Sequence, residues 1–437
     1  MGRRSAVVLA AIGLVALGTS CGDDSGVQPL SMPDSAAPES TSTIPEGRDP
    51  EGQPDLGEGP ADTEAELDKI AMPEVIATTN LGEGIFHLLI TDDGLYAART
   101  AGDTILRLDP DTLEIETESD EAYGLADDAD DICNSITSQL ESGQHPCAID
   151  PEADLKNSGL KITAYDVSDD SVWIVDPTSQ RLVQMDNQSL EFQRYLHLGG
   201  EPTAVLAHDG AIWVTLTDYR KFADDAAAAA LLRIDPSTMI VTDTYPYEEG
   251  TTVEETLDRD QGVPLAISNG QLLVGLTATS ESEGTVTVSW HDVEGRQEKR
   301  ELTTEDGICE GPAGGPDRCS ALVSGDDLWI VENPNFRMAG TGRNAVGRAA
   351  GAADELATAV VIEESGATGD LLLGDAAWLV TGQSGSATLI DPATMQVSEI
   401  LQFESAANVS TGTAAGDRLW VADISTGDVT LVGPAGS

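Results

Sequence analysis

The side chains able to do chemistry are few and scattered. Five histidines, His87, His145, His197, His208 and His291, lie in five different contexts. With no His-x-x-His or His-Glu pairing, they do not form a metal-hydrolase constellation. Carboxylates are too abundant, at 77, for any one pair to signal acid–base catalysis. One run is dense enough to offer hard oxygen ligands to calcium: Asp127, Asp128, Asp130 and Asp131. It lacks the Asp-x-Asp-x-Asp-Gly spacing of a calcium loop, and a solvated acidic loop accounts for it equally. The rare cations are more distinctive. Arg337, Arg343 and Arg348 fall in 332–358, and Arg220 and Lys221 in 217–230. Together they form a candidate seat for a carboxylate, phosphate or acidic glycan, with pairing to neighbouring carboxylates as the alternative. There is no Gly-x-Ser-x-Gly elbow, no P-loop and no Gly-x-Gly-x-x-Gly following a strand. No catalytic residue is assigned.

Charge and cysteine usage narrow the setting. The 437 residues carry a formal charge of -55 with only 22 Lys and Arg, which excludes nucleic acid and anionic membrane surfaces as electrostatic partners. Residues 1–73 hold 13 acids and four bases, so -46 belongs to 74–437. Arg3 and Arg4 precede an apolar stretch, Ala6 to Leu17, too short to span a bilayer. It ends in Leu17-Gly18-Thr19-Ser20-Cys21. This resembles a bacterial lipoprotein signal, with 1–20 removed and Cys21 lipidated; Gly18 stands where the usual pattern has Leu. The expected location is the outer face of the bacterial cytoplasmic membrane, with plain secretion as the alternative. The other four cysteines are even in number, as in a disulfide-bonded exported protein. Local pairing, Cys133 with Cys147 and Cys309 with Cys319, is preferred among three connectivities. Residues 21–73 read as a disordered acidic tether with a span on the order of 40 Å.

Residues 74–437 contain a repeat. An apolar-aromatic run follows a Gly/Asp turn seven times, as in Val172-Trp173-Ile174-Val175, Leu328-Trp329-Ile330-Val331 and Leu419-Trp420-Val421-Ala422. Five of the six Trp occupy this one position. A second run ends in Asp-Pro-x-Thr, as in Leu106-Arg107-Leu108-Asp109-Pro110 and Leu389-Ile390-Asp391-Pro392. The period of 40 or more residues, with β-branched runs and turn punctuation, predicts an all-β chain of four-stranded blades. Seven copies predict a seven-bladed β-propeller. Because the last copy stops after its third strand, Val75 to Leu81 is expected to complete the last blade and close the ring.

These motifs resemble the seven-bladed propellers of the YVTN type and their streptogramin-lyase relatives, over roughly 74–434. The lyase resemblance implies a metal-assisted site of His and Glu over the channel, and no residue here matches that set. The preferred reading is a non-enzymatic, lipid-anchored binding or scaffold protein, monomeric and without a cofactor. Its partner would be an envelope protein, glycan or small ligand. A metal-dependent lyase or hydrolase acting at the channel mouth is the alternative. Every long insertion is expected between the second and third strands of a blade (b–c), at 217–230 and 332–358, or between successive blades (d–a), at 119–160, 246–263 and 303–320. That places all of them on one face, the expected working surface. Val360 to Ile362 reads as the strand c that follows 332–358, and the Ala-rich stretch Ala226 to Ala230 as a short helix.

Overall fold

The computed structural model describes residues 73–99, 104–119, 164–168, 170–177, 180–217, 229–248, 250–258, 263–282, 284–304, 308–309, 318–332, 343–362, 369–381, 385–397, 401–403 and 409–434. Residues 1–72, expected from the sequence to be signal and tether, lie outside them. The described residues form consecutive antiparallel meanders of four strands, a to d. They span 85–118, 164–197, 201–247, 263–303, 318–362 and 369–402. The last, from 409 onward, has three strands of its own, and its fourth is Pro73–Asn80. That strand lies antiparallel to Asp428–Pro434, with Thr78 opposite Thr430 and Asn80 opposite Asp428. The fourth and fifth meanders share one eight-stranded sheet through the pairing of Ala278 with Cys319. A short helix, Thr252–Asp258, lies between the third and fourth.

The sequence pattern follows burial. In strand b of the second meander, Ser171–Asp176, every side chain is buried, because both sheet faces are covered by neighbouring meanders. The outer strand Ile240–Tyr247 is mostly exposed and correspondingly polar. Each Trp of the repeat sits on strand b, where Trp173, Trp329, Trp378 and Trp420 are at most 3% exposed. Burying such a side chain contributes on the order of 2–3 kcal/mol.

The Asp-Pro-x-Thr motif is a c–d turn. Asp109 Oδ1 accepts the backbone N–H groups of Asp111 (3.0 Å) and Thr112 (2.8 Å). Asp235 does the same with Ser237 and Thr238, and Asp391 with Ala393 and Thr394. The residue directly after that Thr (Ser189 in the second meander), Leu113, Leu190, Met239 or Met395 by position, takes φ between 55 and 60°. A left-handed Leu or Met is strained. Here the strain is offset by a backbone bond, Leu113 N to Asp109 O at 2.9 Å, and by burial of the side chain.

Apolar clusters fill the seams between successive meanders. One of them joins the two ends of the series: Leu88, Leu95, Leu106 and Leu108 of the first meander pack with Trp420, Val429 and Leu431 of the last.

One stretch departs from expectation. The 332–358 segment is not a single b–c loop: Arg343–Ala349 is strand c, and Ala357–Ile362, expected as strand c, is strand d. The b–c connection shrinks to 333–342. Strand c escaped recognition because it is built of small residues. At Gly347, a Cβ would lie 3.1 Å from Ile308 and 3.3 Å from Leu356, so the neighbours' bulk replaces its own. Likewise Ala229 and Ala230, grouped with an Ala-rich helix in the sequence, begin strand c of the third meander.

Candidate functional site

The two ends of the meanders differ. Every a–b connection is two or three residues long, and these short-turn ends are bonded to one another along the series. His208 Nε2 lies 3.4 Å from Gly270 O, Ser268 Oγ donates to Gly325 O, and Asp375 N donates to Gly416 O at 2.7 Å. Arginines fasten several c–d turns to the meander before them. Arg107 Nη1 donates to Asn187 O (3.2 Å), Arg194 Nη2 to Pro236 O (2.7 Å), and Arg300 Nη1 to Gly351 O (2.8 Å). From the last meander, Arg418 pairs with Asp111 and Trp420 Nε1 donates to Pro110 O (2.9 Å), both in the first meander's turn. The connections 119–163, 248–262 and 304–317 (d–a) and 218–228 and 333–342 (b–c) all leave from the opposite ends.

Of the residues singled out in the sequence, Arg343 opens strand c at the long-connection end. Arg348 does not belong there. It stands opposite Trp329 near the other end of the strand, with its guanidinium 5.7 Å from that ring. Its Nε donates to Asp327 Oδ2 at 2.9 Å, and Nη1 donates to Pro392 O in the next meander's turn. Arg348 is therefore an inter-meander fastener on the short-turn side. Arg220, Lys221, Arg337, Cys21, Cys133, Cys147 and the four Asp of 127–131 lie outside the described residues. Cys309 and Cys319 form a disulfide with Cα atoms 5.8 Å apart, both buried in the seam of the fourth and fifth meanders. Among the described residues, no group of three or more His, Cys, Asp or Glu is placed to hold a metal ion.

A polar corner at the long-connection end of the second meander has no motif in the sequence. Strands b, c and d place Asp176, Arg181 and His197 in a row, Asp176 opposite Arg181 and Arg181 opposite His197. Gln180, in the b–c turn at φ 55°, accepts Leu198 N at 2.9 Å, which draws the d–a connection against the turn. The Arg181 guanidinium lies 4.8 Å above the Tyr195 ring, and His197 meets the same ring edge-on at 5.5 Å. Arg181 is 4% exposed and His197 7%. Burial, and then the charge of Arg181, push His197 down to about 4, so its imidazole is neutral at physiological pH. Gln180 Oε1, Arg181 Nε and His197 Nδ1 are buried with no hydrogen-bond partner among the described residues.

Deeper in the seams lie two further buried titratable groups. His87 packs edge-on to Tyr165 at 4.5 Å and is pushed down to about 4 by burial. Tyr165 donates its hydroxyl to Tyr96 O at 2.9 Å, across the first and second meanders. Asp166 accepts Val167 N (2.8 Å) and, across the next seam, Ala207 N (2.6 Å). Burial raises it to about 7 against those two bonds.

No protein-family model and no curated protein matches this sequence. Solved structures do. A hydrazine synthase chain from Kuenenia stuttgartiensis aligns over 82% of this chain and 98% of its own, at 12% identity and TM-score 0.51. A streptogramin B lyase aligns over 83% and 97%, at 13% identity and TM-score 0.49. The β-propeller domain of Cps50 (Swd1) from Myceliophteria thermophila aligns over 83% and 99%, at 10% identity and TM-score 0.47. The chain is all-β with propeller-type neighbours. At these identities the likeness is one of fold and carries no activity.

Proposed function

We propose that the chain is a closed seven-bladed propeller, tethered through a lipidated Cys21, that binds an envelope partner on its long-connection face without performing catalysis. The observation that carries this reading is the asymmetry of the two ends. One is locked by two- and three-residue a–b turns and a chain of inter-meander bonds, and the other bears the connections 119–163, 218–228, 248–262, 304–317 and 333–342. A rigid base with variable loops above it is the usual design of a binding surface. Ring closure is supported by the pairing of Pro73–Asn80 with the last strand and by the packing of Trp420 against the first meander. The metal-dependent lyase reading gains no observation of its own.

The test is in-cell cross-linking capture with two designed variants. Replacing 218–228 and 333–342 by short Asn-Gly turns should leave a folded protein that loses its partner. Charge-reversal of the exposed short-turn residues Asp92 and Asp417 should leave capture intact. The opposite pattern overturns the assignment of the face. Separately, Cys21→Ser should release the protein from the membrane fraction, and its retention there would refute the anchor.

A further inference from the structure

Nine arginines have described side chains, and eight of them donate to an oxygen. Arg99, Arg107, Arg194, Arg233, Arg296, Arg300, Arg348 and Arg418 all reach a carbonyl or carboxylate. Arg181 does not. Its guanidinium has no hydrogen-bonded or ion-paired oxygen among the described residues, and it is among the least exposed side chains of its kind at 4%. Leaving a guanidinium buried and unpaired is costly. The Asp176 carboxylate opposite attracts its charge, yet its buried Nε is left without an acceptor. Its nearest fixed contacts are a ring face, Tyr195 at 4.8 Å, and the strand partners Asp176 and His197. Stacking on an aromatic ring holds the planar fork in place while keeping its N–H edge unspent.

We propose that Arg181 anchors a carboxylate-binding site at the long-connection corner of the second meander, with Gln180 and His197 as its flanking polar contacts. The proposal rests on that face being the working surface. A guanidinium accepts a carboxylate in bidentate geometry. Asp176 already offsets the charge of Arg181 and His197 is neutral, so recognition would rest on the unpartnered N–H edge, and a monoanion adds one charge where a phosphate dianion would add two. Gln180 Oε1 is an acceptor without a donor, which fits a hydroxyl or N–H next to the bound carboxylate. The carboxylate belongs either to a small organic acid or to the C-terminus of a peptide.

The experiment uses the whole exported chain and reads thermal shift and titration calorimetry. The probes are acetate, glycolate, inorganic phosphate, and acetyl-Gly-Gly as free acid or amide. Wild type should be stabilised by glycolate more than by acetate and not by phosphate. Free-acid peptide binding tighter than glycolate, with no binding of the amide, identifies a C-terminus as the source; equal or weaker binding identifies a small acid. Arg181→Met should weaken binding at least tenfold, and Arg181→Lys, which keeps the charge but not the fork, severalfold. Gln180→Ala should abolish the preference for glycolate. Carboxylates that leave wild type unshifted at tens of millimolar, or that shift Arg181→Met equally, overturn the proposal. If Arg181→Met does not fold, the Lys and Ala variants decide on the same criteria. Loss of carboxylate binding with partner capture intact would sink this site and leave the face assignment standing; the reverse would sink the face alone.

Discussion

The pairing of the first described strand with the last can be tested by locking it. Thr78 and Thr430 are direct partners in the antiparallel pair, and their Oγ1 atoms lie 3.3 Å apart at a sequence separation of 352. Cysteines at both positions would bring two sulfurs within bonding reach after a small rotamer adjustment. Closing a loop of that length removes chain entropy from the unfolded state worth about 6 kcal/mol at 25 °C, with some of the gain offset by strain, so about 3–5 kcal/mol should be measured. The native edge is weakly held, which leaves room for that gain. Val75 and Ile76 are 46% and 39% exposed, and the side-chain anchors include Thr78–Thr430 and Asn80 Nδ2, which donates to Asp428 Oδ1 at 2.7 Å and to Thr426 O at 2.8 Å. The double variant Thr78→Cys/Thr430→Cys, made with Cys21→Ser, would be oxidised and mapped by mass spectrometry. Its chemical unfolding would be compared with the Thr78→Ser/Thr430→Ser variant under the same conditions. Absence of the cross-link, or a cross-link with no gain in unfolding free energy, would refute the closure strand. A cross-link formed only between two molecules would show that the strand is exchanged rather than returned to its own chain.

Three other consequences follow from single groups. Asp166 ionises near pH 7 in the folded chain and near 3.8 when unfolded; both states are protonated below that window and both ionised above it. Folding stability should therefore fall as pH rises from about 4 to about 7, by roughly 1.4 kcal/mol per pH unit relative to Asp166→Asn, and parallel profiles for the two proteins would exclude this. Arg348→Met keeps apolar packing on Trp329 but loses the guanidinium stacking and the bonds to Asp327 and Pro392 O, and should cost about 1–3 kcal/mol in chemical unfolding without changing any ligand affinity. Cys309→Ala with Cys319→Ala opens a loop of separation 10 and should cost about 2–3 kcal/mol, read as the loss of a reductant-sensitive part of the melting temperature.

The architecture was legible because strand b is constrained from both sides. Trp173 and Trp420 must be apolar on a strand buried on both faces, so the pattern survives in every copy and its period can be counted. The Asp of the c–d turn is equally legible, since only a side-chain acceptor at that place satisfies two turn N–H groups. Strand c of the fifth meander was not, because Gly347 and Ala345 are small for reasons that lie in Ile308 and Leu356, on other elements. The corner at Arg181 was invisible for a similar reason. Asp176, Arg181 and His197 come from three strands and meet only through register, so nothing in their spacing along the chain marks them.

Arginine use ties the fold to the function proposed for it. On a surface of -46, a cation left free would be drawn to any carboxylate, and the described arginines are committed accordingly. Arg107, Arg194, Arg300, Arg348 and Arg418 donate across seams to the next meander's c–d turn, Arg418 by returning to the first. Such bonds act on positioning more than on gross stability, since exposed ion pairs contribute little and bonds to a fixed carbonyl hold geometry. They make the short-turn side a rigid base. At the opposite ends Arg343 opens a strand, and Arg181 is the described arginine whose Nε is buried without an acceptor. A uniform need for fastening would have paired Arg181 as well. That it stacks on Tyr195 instead, with an acceptor-free edge at the base of the long connections, is what separates a site from scaffolding.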